Sequence, residues 1–273
     1  MTDRYAVIGN PIAQSKSPQI HAAFARQVGH DLVYEAILAP RDGFAAAVAG
    51  FREAGGKGLN VTVPFKLDAF ALATERTERA EQAGAVNTLQ FDGASALGDN
   101  TDGAGLVRDI GDRLGFALRG KRVLLMGAGG AARGVVLPLL REGPESIVIA
   151  NRTVEKALAL ERRFATYGHV DAGDYARLAG RSFDLVINAT SASLTGELPP
   201  LAPGTFAPGS LAYDMVYGSE PTRFLVEAGR QGAAQLADGL GMLLAQAAES
   251  FLLWRGVRPD IRPVLAMLRG HQA

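Results

Sequence analysis

The chain has 273 residues, with 28 Lys+Arg against 28 Asp+Glu, 48% hydrophobic residues and no cysteine. That composition suits a globular protein with a sizeable core, as one large domain or two smaller ones, and a neutral chain has no electrostatic reason to seek nucleic acid or an anionic membrane surface. Disulfides, thiol nucleophiles and thiolate metal sites are excluded, and His21, His30, His169 and His271 are too scattered to suggest a metal centre.

No stretch approaches the ~18 uncharged apolar residues of a membrane span. Asp3 stands where a signal peptide would carry basic charge. A cytoplasmic enzyme or binding protein is expected. From the N-terminus, short apolar runs alternate with helical patterns, which predicts an α/β protein with mainly parallel strands. Strands are expected at 5–8, 32–38, 59–63 and 86–91, each bounded by Gly, Pro, Asn or Asp, with helices over 17–28, 43–54 and 67–80 between them. After the turn-rich segment 98–103, strands are expected at 122–126, 146–150, 184–188 and 211–215, with weaker ones near His169 and Ala234. Stretches 131–141 and 154–164 supply crossover helices, and Pro199, Pro200, Pro203 and Pro208 mark a loop. Near the C-terminus, Leu240, Leu243, Leu244, Ala247 and Phe251 recur at spacings of three and four, one apolar face of a helix. Asp238 is its expected N-cap, Gly256 its stop, and Trp254 a core residue.

The strand at 122–126 runs directly into Gly127-Ala128-Gly129-Gly130-Ala131-Ala132. Gly127, Gly129 and Ala132 fit the G-x-G-x-x-G/A dinucleotide fingerprint: a tight turn, a close approach of backbone to pyrophosphate, and a small residue where helix meets strand. The helix N-terminus then offers free N–H groups and partial positive charge to the phosphates. About 20 residues on, an NAD site places an acid for the ribose 2′-OH. Here the chain reads Asn151-Arg152-Thr153, with Lys156 just beyond. A guanidinium suits a 2′-phosphate, whose oxygens it binds bidentately. Read without a ligand, Arg152 is a solvated surface charge and Thr153 a helix N-cap.

Pro64 ends the strand before Lys66 and places that lysine in a loop at the strand's carboxyl end, where open α/β sheets bind ligands. Asp102 closes an Asp-Asn-Thr-Asp-Gly turn, where its plain role would be to cap the following helix. Ser15 and Ser17 lie two residues apart, and Pro18 biases Ser17 toward an extended backbone that would put both hydroxyls on one side. Ser17 is equally an N-cap before proline. Asn87 and Gln246 are polar residues in apolar surroundings: internally satisfied amides, or partners for a polyhydroxylated ligand.

Taken together, Gly9-Asn10-Pro11-Ile12, Ser15-Lys16-Ser17-Pro18, Asn60-Val61-Thr62-Val63-Pro64-Phe65-Lys66, Gly84-Ala85-Val86-Asn87-Thr88, Asp99-Asn100-Thr101-Asp102-Gly103, Asn188-Ala189-Thr190-Ser191 and Asp238-Gly239-Leu240-Gly241-Met242 with Gln246 resemble the shikimate dehydrogenases, in that family's order and over nearly the whole chain. Lys156 stands where close relatives carry arginine, and the middle of 191–195 is not distinctive. The resemblance implies two α/β domains: an open substrate-binding and catalytic domain of residues 1–103 plus 239–273, and a Rossmann-type NADP-binding domain of 104–238. It implies that Ser15 and Ser17 bind the substrate carboxylate, that Thr62, Asn87 and Gln246 contact its hydroxyls and carbonyl, and that Lys66 and Asp102 are the catalytic pair. Gly127, Gly129, Gly130 and Ala131 would line the pyrophosphate, and Asn151, Arg152, Thr153 and Lys156 would face the 2′-phosphate. Thr190, Met215 and Gly239 would lie on the nicotinamide side, with Tyr217 near the substrate. The implied activity is reversible NADPH-dependent reduction of 3-dehydroshikimate to shikimate in aromatic amino-acid (chorismate) biosynthesis, without a metal, by a monomer or homodimer. Two alternatives stand beside it: a quinate/shikimate dehydrogenase that tolerates NAD, and a catalytically silent NADP(H)-sensing protein.

Overall fold

The computed structural model describes residues 2–270; His271 lies outside them. The chain forms two compact units, Met1–Gly105 with Leu244–Ala273, and Leu106–Leu243. Residues 239–243, expected with the first domain, belong to the second unit. Gly239 donates its N–H to the Val216 carbonyl there (3.1 Å), and Gly241 lies against the Asp109 carboxylate.

The first unit runs β1 (Asp3–Gly9), α1 (Ser17–Val28), β2 (Leu32–Leu38), α2 (Phe44–Glu53), β3 (Gly56–Val61), α3 (Lys66–Leu72), β4 (Glu75–Arg76), α4 (Glu78–Ala83), β5 (Thr88–Asp92) and β6 (Ser95–Asp99). Its sheet has the order β2-β1-β3-β5-β6-β4. β2, β1 and β3 are parallel, as expected, but β5 is antiparallel to both β3 and β6. The β5–β6 pairing follows from a two-residue turn, in which Gly93 takes φ 53° and closes the hairpin. β6 is not evident in the sequence because its buried positions are small. Gly98 is required there, since a Cβ would come within 2.7 Å of Val86 and 2.8 Å of Ala73.

The helix expected over 67–80 is broken. Ala73 turns extended after α3, the Thr74 N–H and hydroxyl engage the Ala96 backbone, and Thr77 caps α4 through its side chain. Hydroxyl side chains offer the backbone this alternative to a continuous helix. The apolar core packs Ile8, Leu59, Phe65, Val86 and Leu89 together, all fully buried. Trp254 belongs to this unit's interior: it stacks on Tyr5 at 4.7 Å and its Nε1 donates to the Leu89 carbonyl.

α5 (Asp102–Arg108) leads into the second unit, which contains β7 (Arg122–Met126), α6 (Gly130–Arg141), β8 (Ser146–Ala150), α7 (Val154–Phe164), β9 (Val170–Gly173), β10 (Phe183–Asn188), β11 (Phe206–Asp214), α8 (Arg223–Arg230) and β12 (Gln235–Ala237). α9 (Leu240–Arg255) and α10 (Ile261–Gly270) complete the chain. All pairings in the second sheet are parallel, in the order β12-β11-β10-β7-β8-β9. Counted from its own first strand this is the doubly wound dinucleotide-binding order, whose switch point lies between β7 and β10. Val123 and Leu125 enter one core and Leu124 and Met126 another, on opposite faces of the sheet. Burial on both faces is why β7 reads as an unbroken apolar run. β11 begins earlier than expected and absorbs Pro208. The pairing with β10 shifts register between Phe206 and Leu211, with Gly209 at φ 77°, so the proline sits in a bulge where it owes no ladder bond. No described helix is long and apolar enough to cross a membrane.

Candidate active site

Lys66 is the first residue of α3, and its carbonyl accepts the Val86 N–H (2.9 Å), which ties the start of that helix to the strand region around Asn87. Its Nζ lies 2.5 Å from Asp102 Oδ2. The lysine is 22% exposed and the carboxylate 4%, so the pair is shielded on the acid side and open on the ammonium side. Asp102 does not cap its own helix. Its backbone N–H goes to the Asn100 side chain (3.2 Å), and its second oxygen accepts from Asn87 Nδ2 at 2.8 Å.

The Asn87 amide has only one tenable orientation, because its Oδ1 receives the Thr101 backbone N–H (2.9 Å). The nitrogen therefore faces Asp102, Thr101 Oγ1 (3.0 Å) and Gln246 Oε1 (3.1 Å). Lys66, Asp102, Asn87 and Gln246 thus form one hydrogen-bonded group, drawn from the first residues of α3 and α5, the residue before β5, and α9.

Ser17 is the first helical residue of α1 rather than its N-cap. Lys16 holds the cap position without a side-chain bond, and Ser15 Oγ accepts the Ser17 N–H at 3.3 Å. Ser17 is buried beside Tyr34, whose phenol burial pushes well up against the opposing effect of the Ser17 hydrogen bond. Tyr34 donates to Asn60 Oδ1 (2.7 Å), and Asn60 Nδ2 continues to Thr88 and Ser250. Thr62 follows β3 and donates its N–H to the Ile8 carbonyl. Among the described residues, Ser15 and Thr62 make no hydrogen bond to the Lys66–Asp102 group. Asn60 and Thr101 join the polar lining but have no role in the sequence reading. The signal for Asn60 is a polar side chain within an apolar strand.

In the second unit, Gly127 has φ 106°, and a Cβ there would come within 3.0 Å of the Ala189 carbonyl oxygen. Only glycine fits both constraints. Gly129 and Gly130 differ: a Cβ on either would meet no protein atom within 4 Å. Their side chains are missing for no internal packing reason, and glycine there leaves the α6 N-terminal N–H groups uncovered for phosphate. Ala132 is fully buried. The residues present therefore fit a dinucleotide.

Beyond β8, Arg152, Thr153 and Lys156 are exposed. Thr153 occupies the N-cap position of α7 but makes no side-chain cap bond; instead Asn151 Nδ2 donates to the Thr153 carbonyl at 2.8 Å. Burial pushes the Tyr175 phenol up, and the Arg152 charge acts against it. On the other side of the switch point, Thr190 donates its N–H and hydroxyl to Asn188 Oδ1 (3.1 and 2.7 Å). Met215 donates its N–H to the Asn188 carbonyl. Gly239 has no room for a Cβ, which would fall on the Met215 carbonyl. Tyr217 is half-buried, and burial pushes its phenol up.

A lysine–carboxylate pair past the strand ends of one α/β unit and a fingerprint glycine turn at the switch point of the other define a two-domain, dinucleotide-dependent α/β enzyme. Three family models match the chain: "Shikimate dehydrogenase substrate binding domain" over 7–89, "Shikimate / quinate 5-dehydrogenase" over 109–195 and "Shikimate 5'-dehydrogenase C-terminal domain" over 239–269. The chain belongs to the shikimate dehydrogenase family, with its N-terminal substrate-binding domain and Rossmann-type nucleotide-binding domain. It is 65% identical over 269 residues to the shikimate dehydrogenase (NADP(+)) of Nitrosospira multiformis, an alignment covering 98% of each chain. It is similar to the Ael1 enzyme from Pseudomonas putida, with 51% identity, a TM-score of 0.90 and 98% of each chain covered. The shikimate 5-dehydrogenase of Thermus thermophilus in complex with NADP(H) and shikimate matches with 32% identity, a TM-score of 0.88 and all of both chains covered.

Proposed function

We propose that this chain catalyses the reversible NADPH-dependent reduction of 3-dehydroshikimate to shikimate, an enzymatic step of aromatic amino-acid biosynthesis. The observation that carries the chemistry is the Lys66–Asp102–Asn87 group. We assign the substrate to the unit Met1–Gly105 with Leu244–Ala273 and the nucleotide to Leu106–Leu243. When bound, the nicotinamide supplies or accepts the hydride at its C4.

Reduction of a ring ketone builds negative charge on oxygen. An ammonium at Lys66 stabilises that oxygen and delivers the proton; in the reverse direction the amine takes the hydroxyl proton. Asp102, held by Asn87 on one oxygen, aims Nζ with the other and balances its charge. Asn87, Gln246 and Thr62 recognise the hydroxyls and carbonyl and Ser15 and Ser17 the carboxylate, and Tyr217 lies near the substrate. Gly127, Gly129, Gly130 and Ala131 hold the pyrophosphate. Asn151, Arg152, Thr153 and Lys156 hold the 2′-phosphate, and Thr190, Met215 and Gly239 the nicotinamide.

Mixing the purified protein with shikimate and NADP and following NADPH absorbance tests this reading. Turnover supports it. No turnover with active-site titres of NADPH bound would instead indicate a sensor, and equal rates with quinate or NAD would indicate the broader dehydrogenase.

A further inference from the structure

Asp214, the last residue of β11, is fully buried, and among the described residues it has no cationic partner. Four donors surround it. Oδ1 accepts from Asn188 Nδ2 (3.2 Å) and the Val216 N–H (3.0 Å); Oδ2 accepts from Ser193 Oγ (2.6 Å) and Thr222 Oγ1 (2.7 Å). A carboxylate is the one side chain that can accept from all four at once, two on each oxygen. A buried charge held only by dipoles is costly to keep, and where its donors come from shows what it organises.

The donors come from the end of β10, the loop after it, and the segment after β11. Asn188 pairs in register with Met126 on one side and Asp214 on the other. It therefore sits at the switch point, beside the strand that opens the glycine turn. Its two amide N–H groups go to Asp214 and Ser193 (3.0 Å), so its Oδ1 must face Thr190, whose N–H and hydroxyl it accepts. The Thr190 methyl lies within 3.2 Å of where a Gly127 Cβ would be. A dinucleotide crossing a doubly wound sheet places its halves on either side of the switch point. The β8 side carries Arg152, so the β10–β11 side takes the other nucleoside.

We propose that Asp214 is a positioning residue for the nicotinamide half of the crevice: it dictates the orientation of the Asn188 amide, and through it the placement of Thr190, while Val216 and Thr222 fasten the segment carrying Met215 and Tyr217. This rests on the dinucleotide reading of the second unit.

The test is Asp214→Asn, which keeps the shape but turns an NH2 toward two of the four donors. Its kcat should fall at least about tenfold, the loss typical of hydrogen bonds to a charged group. The primary isotope effect with NADPH deuterated at the transferred C4 position should rise, and the NADPH fluorescence enhancement on binding should drop. Inhibition by 2′,5′-ADP, which lacks the nicotinamide, should stay within about twofold. Ser193→Ala and Thr222→Val should shift the same readouts in the same direction by less, and they carry the test if Asp214→Asn does not fold. Unchanged isotope effect and fluorescence in these variants overturn the proposal, as does an equal loss of 2′,5′-ADP binding. Wild-type protein that binds NADPH but does not oxidise shikimate would sink the substrate assignment alone, and the fluorescence and 2′,5′-ADP comparison would still decide the role of Asp214.

Discussion

Asn87 Nδ2 lies 2.8 Å from Asp102 Oδ1, and that distance sets the other oxygen of Asp102 toward Lys66. The amide cannot flip, because Thr101 N–H holds its oxygen. A backbone donor thus determines, two side chains away, where the ammonium points.

Removing the ammonium tests the chemistry. Lys66→Ala should lower kcat for shikimate oxidation by roughly 10²–10⁴-fold, the usual contribution of a positioned acid–base group. KM for NADP should be nearly unchanged. Near-normal kcat at neutral pH would mean that another group moves the proton.

Asn87→Ala removes the aiming device and leaves the buried Thr101 N–H short of an acceptor, while the Thr88 hydroxyl can still turn to Ser250 Oγ. Unpaired buried donors cost about 1–3 kcal/mol each. Urea unfolding should show a loss of that order, together with a fall in kcat and a rise in KM for shikimate. Stability loss with unaltered kinetics would reduce Asn87 to a structural residue.

Cofactor choice rests on exposed charge. Arg152→Ala should lower kcat/KM for NADP about ten- to a hundredfold and leave NAD nearly unchanged, because only NADP carries the 2′-phosphate. Rising salt should weaken NADP more than NAD. Equal harm to both cofactors would remove Arg152 from the phosphate site.

Gly239→Ala probes the segment that leads into α9. The added methyl would fall on the Met215 carbonyl, backbone rather than a yielding side chain. A lower Tm and weaker NADPH binding are expected by thermal unfolding and fluorescence titration. Wild-type values for both would show that the segment after β11 relaxes freely.

His21 is fully buried and stacks on Tyr34 at 4.1 Å. Burial in an apolar site lowers its pKa from 6.5 to about 3. Between those values the unfolded chain binds a proton that the native ring refuses. Stability is therefore complete above about pH 6.5 and declines as pH falls toward 3, by up to about 1.4 kcal/mol per pH unit. His21→Phe should flatten this slope in urea midpoints measured from pH 7 to 4. A parallel curve for the variant would show that the carboxylates alone set acid lability.

The central strands of the second sheet were legible in the sequence because they are buried on both faces and punctuated by glycine and polar turns. β7 and β8 match their expected spans residue for residue. The β5–β6 hairpin was not, since Gly98 in β6 lacks a side chain because Val86 and Ala73 press on that position, not because of any local preference. The break at Ala73 is likewise decided by a neighbour, the Ala96 backbone that captures Thr74. Site residues divide the same way. Residue types at fixed spacing are what single out the glycine turn, Arg152, Lys66 and Asp102 as the site residues proposed above, because turn geometry and charge are local properties. Which way a carboxylate faces is not local. The sequence allowed Asp102 to cap its own helix, and it presented Asp214 only as one residue of a strand expected at 211–215. Buried dipoles fix both orientations, the Asn87 amide for one and the Asn188, Ser193 and Thr222 donors for the other, and those partners come together only when β5 lies beside β6 and β10 beside β11.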